Sequence, residues 1–523
     1  MSAPVVSLRA VYGRVFGVAV VGVQGRLVTV EAHVGRGLPA VVLAGLPGAA
    51  VQDARERVRP AVESSGLAWP LRRVVVNLSP AGMRKEGPGF DLPIALGVLA
   101  ASAQVPTRLL DGYAFYGELS LKGEVVSTAG VLPVAMAAAA AGLRGVVVPE
   151  ANVGEASLVE GLEAVGAPTV SAVAAFLRGQ WKPDPAACVP PGTPAEASPG
   201  VDFAEVRGQG AARRALEVAA AGSHNVLMVG PPGSGKTMLA RRLPTIMPAM
   251  VRQEALEATR LHSVAGLLSG GGLIEQRPFR SPHHSISVPG LLGGGSGFLR
   301  PGEVSLAHHG VLFLDEFTEF RRDAVEGLRQ PLEDGRIVVA RASGAVEFPA
   351  RFALVAACNP CPCGFQGDVR RLCRCAPARV MGYRQRLSGP LLDRIDMHVA
   401  VPRLSRDELM GSEPGESSSA VGERVEEARA RQRSRLAGTP WTSNGQVSGR
   451  LARREACLTV EAESVLSLAV ETLHLSGRGF DRALKVARTV ADLAGAERVG
   501  AEHMSEALRY RPAVSDEEAA QAG

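Results

Sequence analysis

Four cysteines, Cys361, Cys363, Cys373 and Cys375, fall within fifteen residues ("CPCGFQGDVRRLCRC") of a chain that holds seven in all. Two Cys-x-Cys pairs on one loop offer four thiolates, the donor set of a tetrahedral zinc site, so structural zinc is the expected metal. The usual ribbon spacing is Cys-x2-Cys, and redox or inert thiols stay open beside it. Arg370, Arg371 and Arg374 on the same loop would face DNA or a neighbouring subunit, whereas Cys188, Cys358 and Cys457 stand apart and are not expected to ligate.

Upstream, "HNVLMVGPPGSGKTMLARRL" gives an apolar run, then Gly230, Pro231, Pro232, Gly233, Ser234, Gly235, Lys236 and Thr237, then a helical pattern. Glycines there let backbone N–H groups wrap phosphates at a helix N-terminus, Lys236 reaches the β and γ phosphates, and the Thr237 hydroxyl joins a magnesium shell. ATP and Mg2+ are the expected cofactors. A second apolar run, "GVLFLDEF", ends in Asp315 for the magnesium shell and Glu316 to polarise the attacking water. A third, "RFALVAACN", ends in Asn359, placed to contact the γ-phosphate or that water. Three such runs, each with a polar group at its carboxyl end, describe an ATPase sheet that works at its strand tips.

Two arginine sites complete the set. "SGPLLDRIDMHV" places Arg394 as an arginine finger toward a neighbouring subunit's ATP, with a salt bridge to Asp393 or Asp396 as the plainer reading. "SGRGFDRALKVARTVADL" sets Arg478, Arg482 and Lys485 on one helix face, and Arg482 is expected to touch the γ-phosphate from a helical lid; solvated helix charge stays open for each.

The elements that position these groups need more than one core: 523 residues suggest two to four domains. With 46% apolar and 21% charged residues and a net charge of +5, the chain reads as globular, and its basic bias permits nucleic acid without requiring it. Arg9, Arg14 and Arg26 interrupt the start, and the most apolar stretch, 131–143, is too short for a bilayer, so the expectation is a cytoplasmic protein with no membrane partner and reduced cysteines. The expected organisation is an α/β domain over 1–182, a Pro/Ala/Ser/Gly linker over 183–200, an α/β ATPase core over 201–401 with the cysteine loop at 361–375, a helical lid over 402–510 and a tail over 511–523. The Gly-rich insert 279–303 and a hairpin with its turn at Asp334-Gly335 read as pore loops. The pairs His283/His284 and His308/His309 read as hydrogen-bonding groups, because neighbours on a regular element point apart.

Taken together, "GPPGSGKT", "FRSPHHS", "GVLFLDEF", "NPCPCG", "CRC", "SGPLLDRID" and "ARTVADL" resemble the YifB/ComM family of magnesium-chelatase-like AAA+ ATPases over nearly the whole chain. The resemblance implies a ring-forming ATPase, a homohexamer by default, acting on branched or single-stranded DNA as a branch-migration helicase in recombination and natural transformation. A chelatase-type motor subunit or a protein-remodelling ATPase is the alternative. "VNLSPAGMRKEGPGFDLPIALGVLAA" is similar to the Lon protease domain, of ribosomal S5 type. Gly89 stands at the place of its nucleophilic serine and Leu132 near that of its lysine, so no protease dyad is expected. Arg84 and Lys85 in this Gly/Pro-rich loop read either as a DNA-contacting or ring-stacking surface or as two solvated cations.

Overall fold

The computed structural model describes residues 12–183 and 201–511, except 269–270, 296–298, 342–343, 369–370, 388, 406–407, 409–414 and 448. Nearly all of the expected linker, most of the tail, Cys188 and Arg370 lie outside the described residues.

Seven strands form the first sheet: β1 (Tyr12–Val21), β2 (Gln24–Gly35), β3 (Ala40–Ala44), β4 (Arg73–Ser79), β5 (Tyr113–Phe115), β6 (Gly145–Pro149) and β7 (Glu163–Ala167). Their order is β3-β4-β2-β1-β5-β6-β7. Alternate residues feed opposite faces: Val15 and Ala19 of β1 join the core under helices Ala49–Ser64 and Asp91–Ala101, while Val18 and Val20 join the core under helix Val131–Ala140.

The Lon-like loop has no room for a nucleophile. A Cβ at Gly89 would lie 2.1 Å from the Tyr116 ring, so that ring fills the space a serine would need. Lys85 departs from both expectations for it. It is fully buried, and its ammonium donates to the carbonyls of Gly45, at 2.8 Å, and of Pro80. The chain folds back over this loop, and three donors on one ammonium suit carbonyl oxygens well.

The second sheet is wholly parallel and comprises β8 (Val226–Val229), β9 (Phe279–Arg280), β10 (Val311–Leu314), β11 (Ala353–Cys358) and β12 (Met397–Ala400), in the order β9-β10-β11-β8-β12. β10 and β11 are buried along their whole length, as strands covered on both faces must be. Because β8 lies between β11 and β12, the order reverses beside it, and the crevice beyond its carboxyl end is where such a sheet takes its ligand.

Helices Ser418–Arg435, Gly449–Ala456, Val460–Thr472, Gly477–Leu493 and Ala501–Arg509 make the lid, which shares one apolar core with helix Gly210–Gly222 and the sheet. Asp492, fully buried, is held by Arg435 at 2.7 Å, Arg488 at 2.9 Å and Asn444 at 2.8 Å. Helix Arg252–Ala265 joins the ATPase core to the first domain. Its Ser263 hydroxyl donates to the buried Glu155 carboxylate, its Ser263 carbonyl accepts from Gly130 N at 3.0 Å, and Val264 sits in the first domain's core.

The expected hairpin is present as Arg336–Arg341 paired with Gly344–Pro349, but its turn is not Asp334-Gly335. Gly335, at φ +65°, ends helix Arg329–Asp334 as a left-handed cap, a role that Asp-Gly serves as readily as a hairpin turn. No helix among the described residues is long and apolar enough to cross a membrane.

Candidate nucleotide site

The phosphate loop leaves the carboxyl end of β8 and enters helix Lys236–Ile246. Two of its glycines are fixed by different causes. Gly235 takes φ +90°, which L side chains resist; at Gly230 a Cβ would sit 2.1 Å from the Val401 carbonyl oxygen, where the chain leaves β12. Gln209 ties the same two segments, donating from Nε2 to Ser234 O at 3.2 Å and Pro402 O at 2.6 Å. No motif marks this glutamine in the sequence.

Lys236 is 8% exposed and donates to Gly230 O at 2.7 Å, Pro231 O at 3.0 Å and Asn359 Oδ1 at 3.3 Å. Burial lowers its pKa from the usual lysine range, against the pull of Asp315. Thr237 Oγ1 donates to Asp315 Oδ2 at 2.7 Å, and Asp315 Oδ1 accepts from Glu316 N at 2.9 Å. A hydroxyl and a carboxylate in contact suit a hard cation that keeps most of its waters, as Mg2+ does. Glu316, at φ +50°, turns its half-exposed carboxylate to His284 Nδ1 at 3.2 Å, a contact that sequence reasoning missed. Lys236, Thr237, Asp315, Glu316 and Asn359 thus converge on one crevice.

Arg394 and Arg482 lie elsewhere. Arg394 offers its backbone carbonyl to Asn225 Nδ2 at 3.1 Å, and Arg482 Nη1 donates to Ile395 O at 3.4 Å, so both flank the amino ends of β8 and β12. Four residues of parallel strand, about 13 Å, separate that edge from the phosphate loop. The Arg394 guanidinium pairs with Glu333, not with Asp393 or Asp396 as the plainer reading had it. Asp393 instead lies 3.8 Å from Arg482, and Asp396 accepts from Asn225 N at 3.0 Å. The two arginines line an open cleft of ≈ 700 Å³ between lid and sheet, together with Arg478, Lys485, Arg277 and Glu254. Within one chain, therefore, Arg482 does not face the phosphate loop.

The four loop cysteines come together. Sγ of Cys361 is 3.4 Å from that of Cys363 and 3.6 Å from that of Cys373, Cys363 and Cys373 are 3.6 Å apart, and all four sulfurs lie within 4.8 Å of one another. Sulfurs about 2.3 Å from a zinc ion stand about 3.8 Å apart at the corners of a tetrahedron, whereas a disulfide needs about 2.05 Å. The thiols do not ionise alike: backbone amides of Phe365 and Arg374 pull the Cys363 thiol down to about 6, while burial and the neighbouring sulfurs push those of Cys373 and Cys375 up. Cys358 lies outside the cluster, buried in β11 with its thiol pushed up to about 11 by burial, and Cys457 is exposed on the lid.

Both histidine pairs place their rings together, at centroid separations of 4.1 Å for His283/His284 and 3.9 Å for His308/His309, contrary to the expectation that neighbours diverge. In the second pair His309 takes φ +58°, which turns successive side chains to one side. Glu257 accepts from His308 Nε2 at 3.2 Å and His309 Nε2 at 2.9 Å. This trio has the composition of a metal site but not its protonation. His308 Nδ1 accepts from Arg351 N at 2.9 Å, so the proton sits on Nε2, the atom a metal would need. Burial lowers the His308 pKa to about 4, so between pH 6.5 and 4 the unfolded chain takes up a proton that the folded chain refuses, and stability falls as pH drops through that window. The loss is at most about 3 kcal/mol. His398, also held near 4 by burial, acts with the same sign. Denaturant midpoints measured from pH 7 to 4 should fall less steeply in His308→Gln than in the parent chain.

A parallel sheet that reverses order beside a phosphate loop, with a hydroxyl–carboxylate pair at its strand tips and a helical lid, defines a nucleotide-binding α/β protein of the phosphate-loop class. Family comparisons narrow the class. The models described as magnesium chelatase, subunit ChlI, as subunit ChlI of Mg-chelatase, and as magnesium chelatase, subunit ChlI C-terminal, match residues 202–409, 30–152 and 415–511. An uncharacterized protein of Mycobacterium tuberculosis (strain ATCC 25618 / H37Rv) is 47% identical over 500 residues, 95% of this chain and 98% of its own. Competence protein ComM of Haemophilus influenzae is 42% identical over 517 residues, 97% and 98% of the two chains. A peroxisomal Lon protease homolog of Caenorhabditis elegans is 29% identical over 145 residues, 27% of this chain and 18% of its own. The chain belongs to the ChlI-like magnesium-chelatase family of AAA ATPases that includes ComM and YifB.

Proposed function

We propose that the chain is a ring-forming, ATP-driven DNA motor, a helicase that promotes branch migration in recombination and natural transformation. The observation that carries the ring is the separation of the two halves of the site across the sheet: Lys236, Thr237, Asp315, Glu316 and Asn359 at one end, Arg394 and Arg482 at the other. In a closed ring of identical subunits, a homohexamer in this reading, the arginine edge of one subunit meets the phosphate loop of the next. Full-length similarity to a competence protein supports DNA as the substrate class.

In this reading Lys236 releases the loop carbonyls to bind the β and γ phosphates, Thr237 and Asp315 hold Mg2+, Asn359 contacts the γ-phosphate or the water, and Glu316 orients that water. Mg2+ supplies charge neutralisation on the phosphates. Arg394 stabilises charge on a neighbour's γ-phosphate, with Arg482 beside it. Cys361, Cys363, Cys373 and Cys375 hold a structural zinc ion.

Steady-state ATPase is measured with and without a synthetic four-way junction, with strand exchange followed in the same tubes. The expected result is stimulation by the junction and ATP-dependent dissociation of its arms, both lost in Lys236→Ala. Turnover indifferent to DNA would overturn the motor reading in favour of a chelatase-type or protein-remodelling ATPase.

A further inference from the structure

The cysteine loop is braced against the nucleotide site at three points. It begins at Asn359, whose Oδ1 accepts from Lys236 at 3.3 Å. Next, Gly364, at φ +82°, lies so close to the phosphate loop that a Cβ there would stand 2.5 Å from Cδ of Pro232. Finally, the guanidinium groups of Arg371, at 5.2 Å, and Arg403, at 5.4 Å, lie over the Phe365 ring, and Arg403 pairs with Asp368 at 3.0 Å. Arg403 directly follows the segment whose Val401 carbonyl confines Gly230 and whose Pro402 carbonyl is held by Gln209.

Such a loop is too short to build a core, and closing it costs chain entropy that four metal–thiolate bonds readily offset. Gly364 and Phe365 immediately follow the first thiolate pair, so the ion that fixes those sulfurs also fixes the residues that touch Pro232 and Arg403. Resting on the zinc reading above, we infer that metal occupancy of Cys361, Cys363, Cys373 and Cys375 sets the conformation of the phosphate loop and thereby the affinity for nucleotide. The cluster is a metal-responsive control on ATP binding as well as a staple.

The test uses the full chain and reads nucleotide binding rather than turnover. Zinc per chain is counted by elemental analysis, and the Kd of a fluorescent ADP analogue is measured in excess Mg2+ before chelation, after removal of metal and chelator, and after Zn2+ is returned. About one zinc per chain is expected, with Kd raised about tenfold on its removal and restored on its return. Gly364→Ala separates the brace from the metal: zinc stays at wild-type stoichiometry while affinity falls, because the added methyl displaces Pro232. Unchanged Kd in metal-free protein that keeps its far-UV spectrum overturns the coupling while the structural-zinc reading stands. Should the metal-free chain unfold, Gly364→Ala with full zinc and wild-type Kd overturns the coupling instead. Protein that neither carries nor takes up Zn2+ overturns both readings.

Discussion

Glu316→Gln is expected to lower kcat by about 10²–10³-fold, the worth of a positioned base, while ATP still binds. Glutamine keeps the length of the side chain and an oxygen that can face His284, but it lacks the charge that draws a proton from the attacking water. The Thr237–Asp315 contact at 2.7 Å is untouched, so the magnesium shell and nucleotide Kd should hold. Glu316 is also free to move. Its contact with His284, at 3.2 Å between side chains 33% and 58% exposed, is solvent-screened and worth at most about 1 kcal/mol, little enough for a bound nucleotide to displace. Single-turnover hydrolysis and equilibrium nucleotide binding separate the two quantities, and unchanged turnover would remove Glu316 from the reaction.

Arg394→Ala is expected to cost about 10³-fold in turnover, the lower range for an arginine finger, and its defect should be repaired by a second defective chain. In rings mixed one to one from Arg394→Ala and Lys236→Ala subunits, about a quarter of the sites pair an intact phosphate loop with an intact arginine from the next subunit. Activity should therefore reappear on mixing. If Arg394 acted on its own chain's nucleotide, every site in the mixture would carry a defect and none would recover. Loss of folding does not mimic this outcome, because repair requires both variants to assemble. The Glu333 carboxylate left behind is half exposed, so the substitution strands no buried charge.

What the sequence disclosed follows from how local each constraint is. β10 and β11 read as apolar runs because strands buried on both faces must be apolar throughout, and the phosphate loop reads as glycines because its backbone turns demand them. The cysteines were legible as a cluster because their spacing lies within one loop. Long-range placement was hidden. Helical period puts Arg478, Arg482 and Lys485 on one face, but nothing local says that this face meets the amino edge of the sheet. Lys85, in a loop of glycines and prolines, looks exposed until the carbonyls of Gly45 and Pro80 close over it. Gln209 and Arg403 act through contacts with segments nearly two hundred and tens of residues away respectively, Pro402 and Asp368, and no spacing rule reaches that far.

Helix Arg252–Ala265 has a mechanical consequence. Its fourteen residues make a rod of about 21 Å. Near its first turn Glu254 lines the cleft with Arg394 and pairs with Arg277 at 3.1 Å; at its middle Glu257 grips His308 and His309, just before β10 carries the chain to Asp315 and Glu316; near its end Ser263 is bonded to Glu155. Parting that last contact would strip a buried carboxylate of a donor, so the joint resists slipping. The rod is a lever with three attachments. In the proposed ring, a push delivered by an adjoining subunit in the cleft would reach both the strand bearing the acidic pair and the Lon-like domain in one stroke, gearing that domain to the nucleotide cycle.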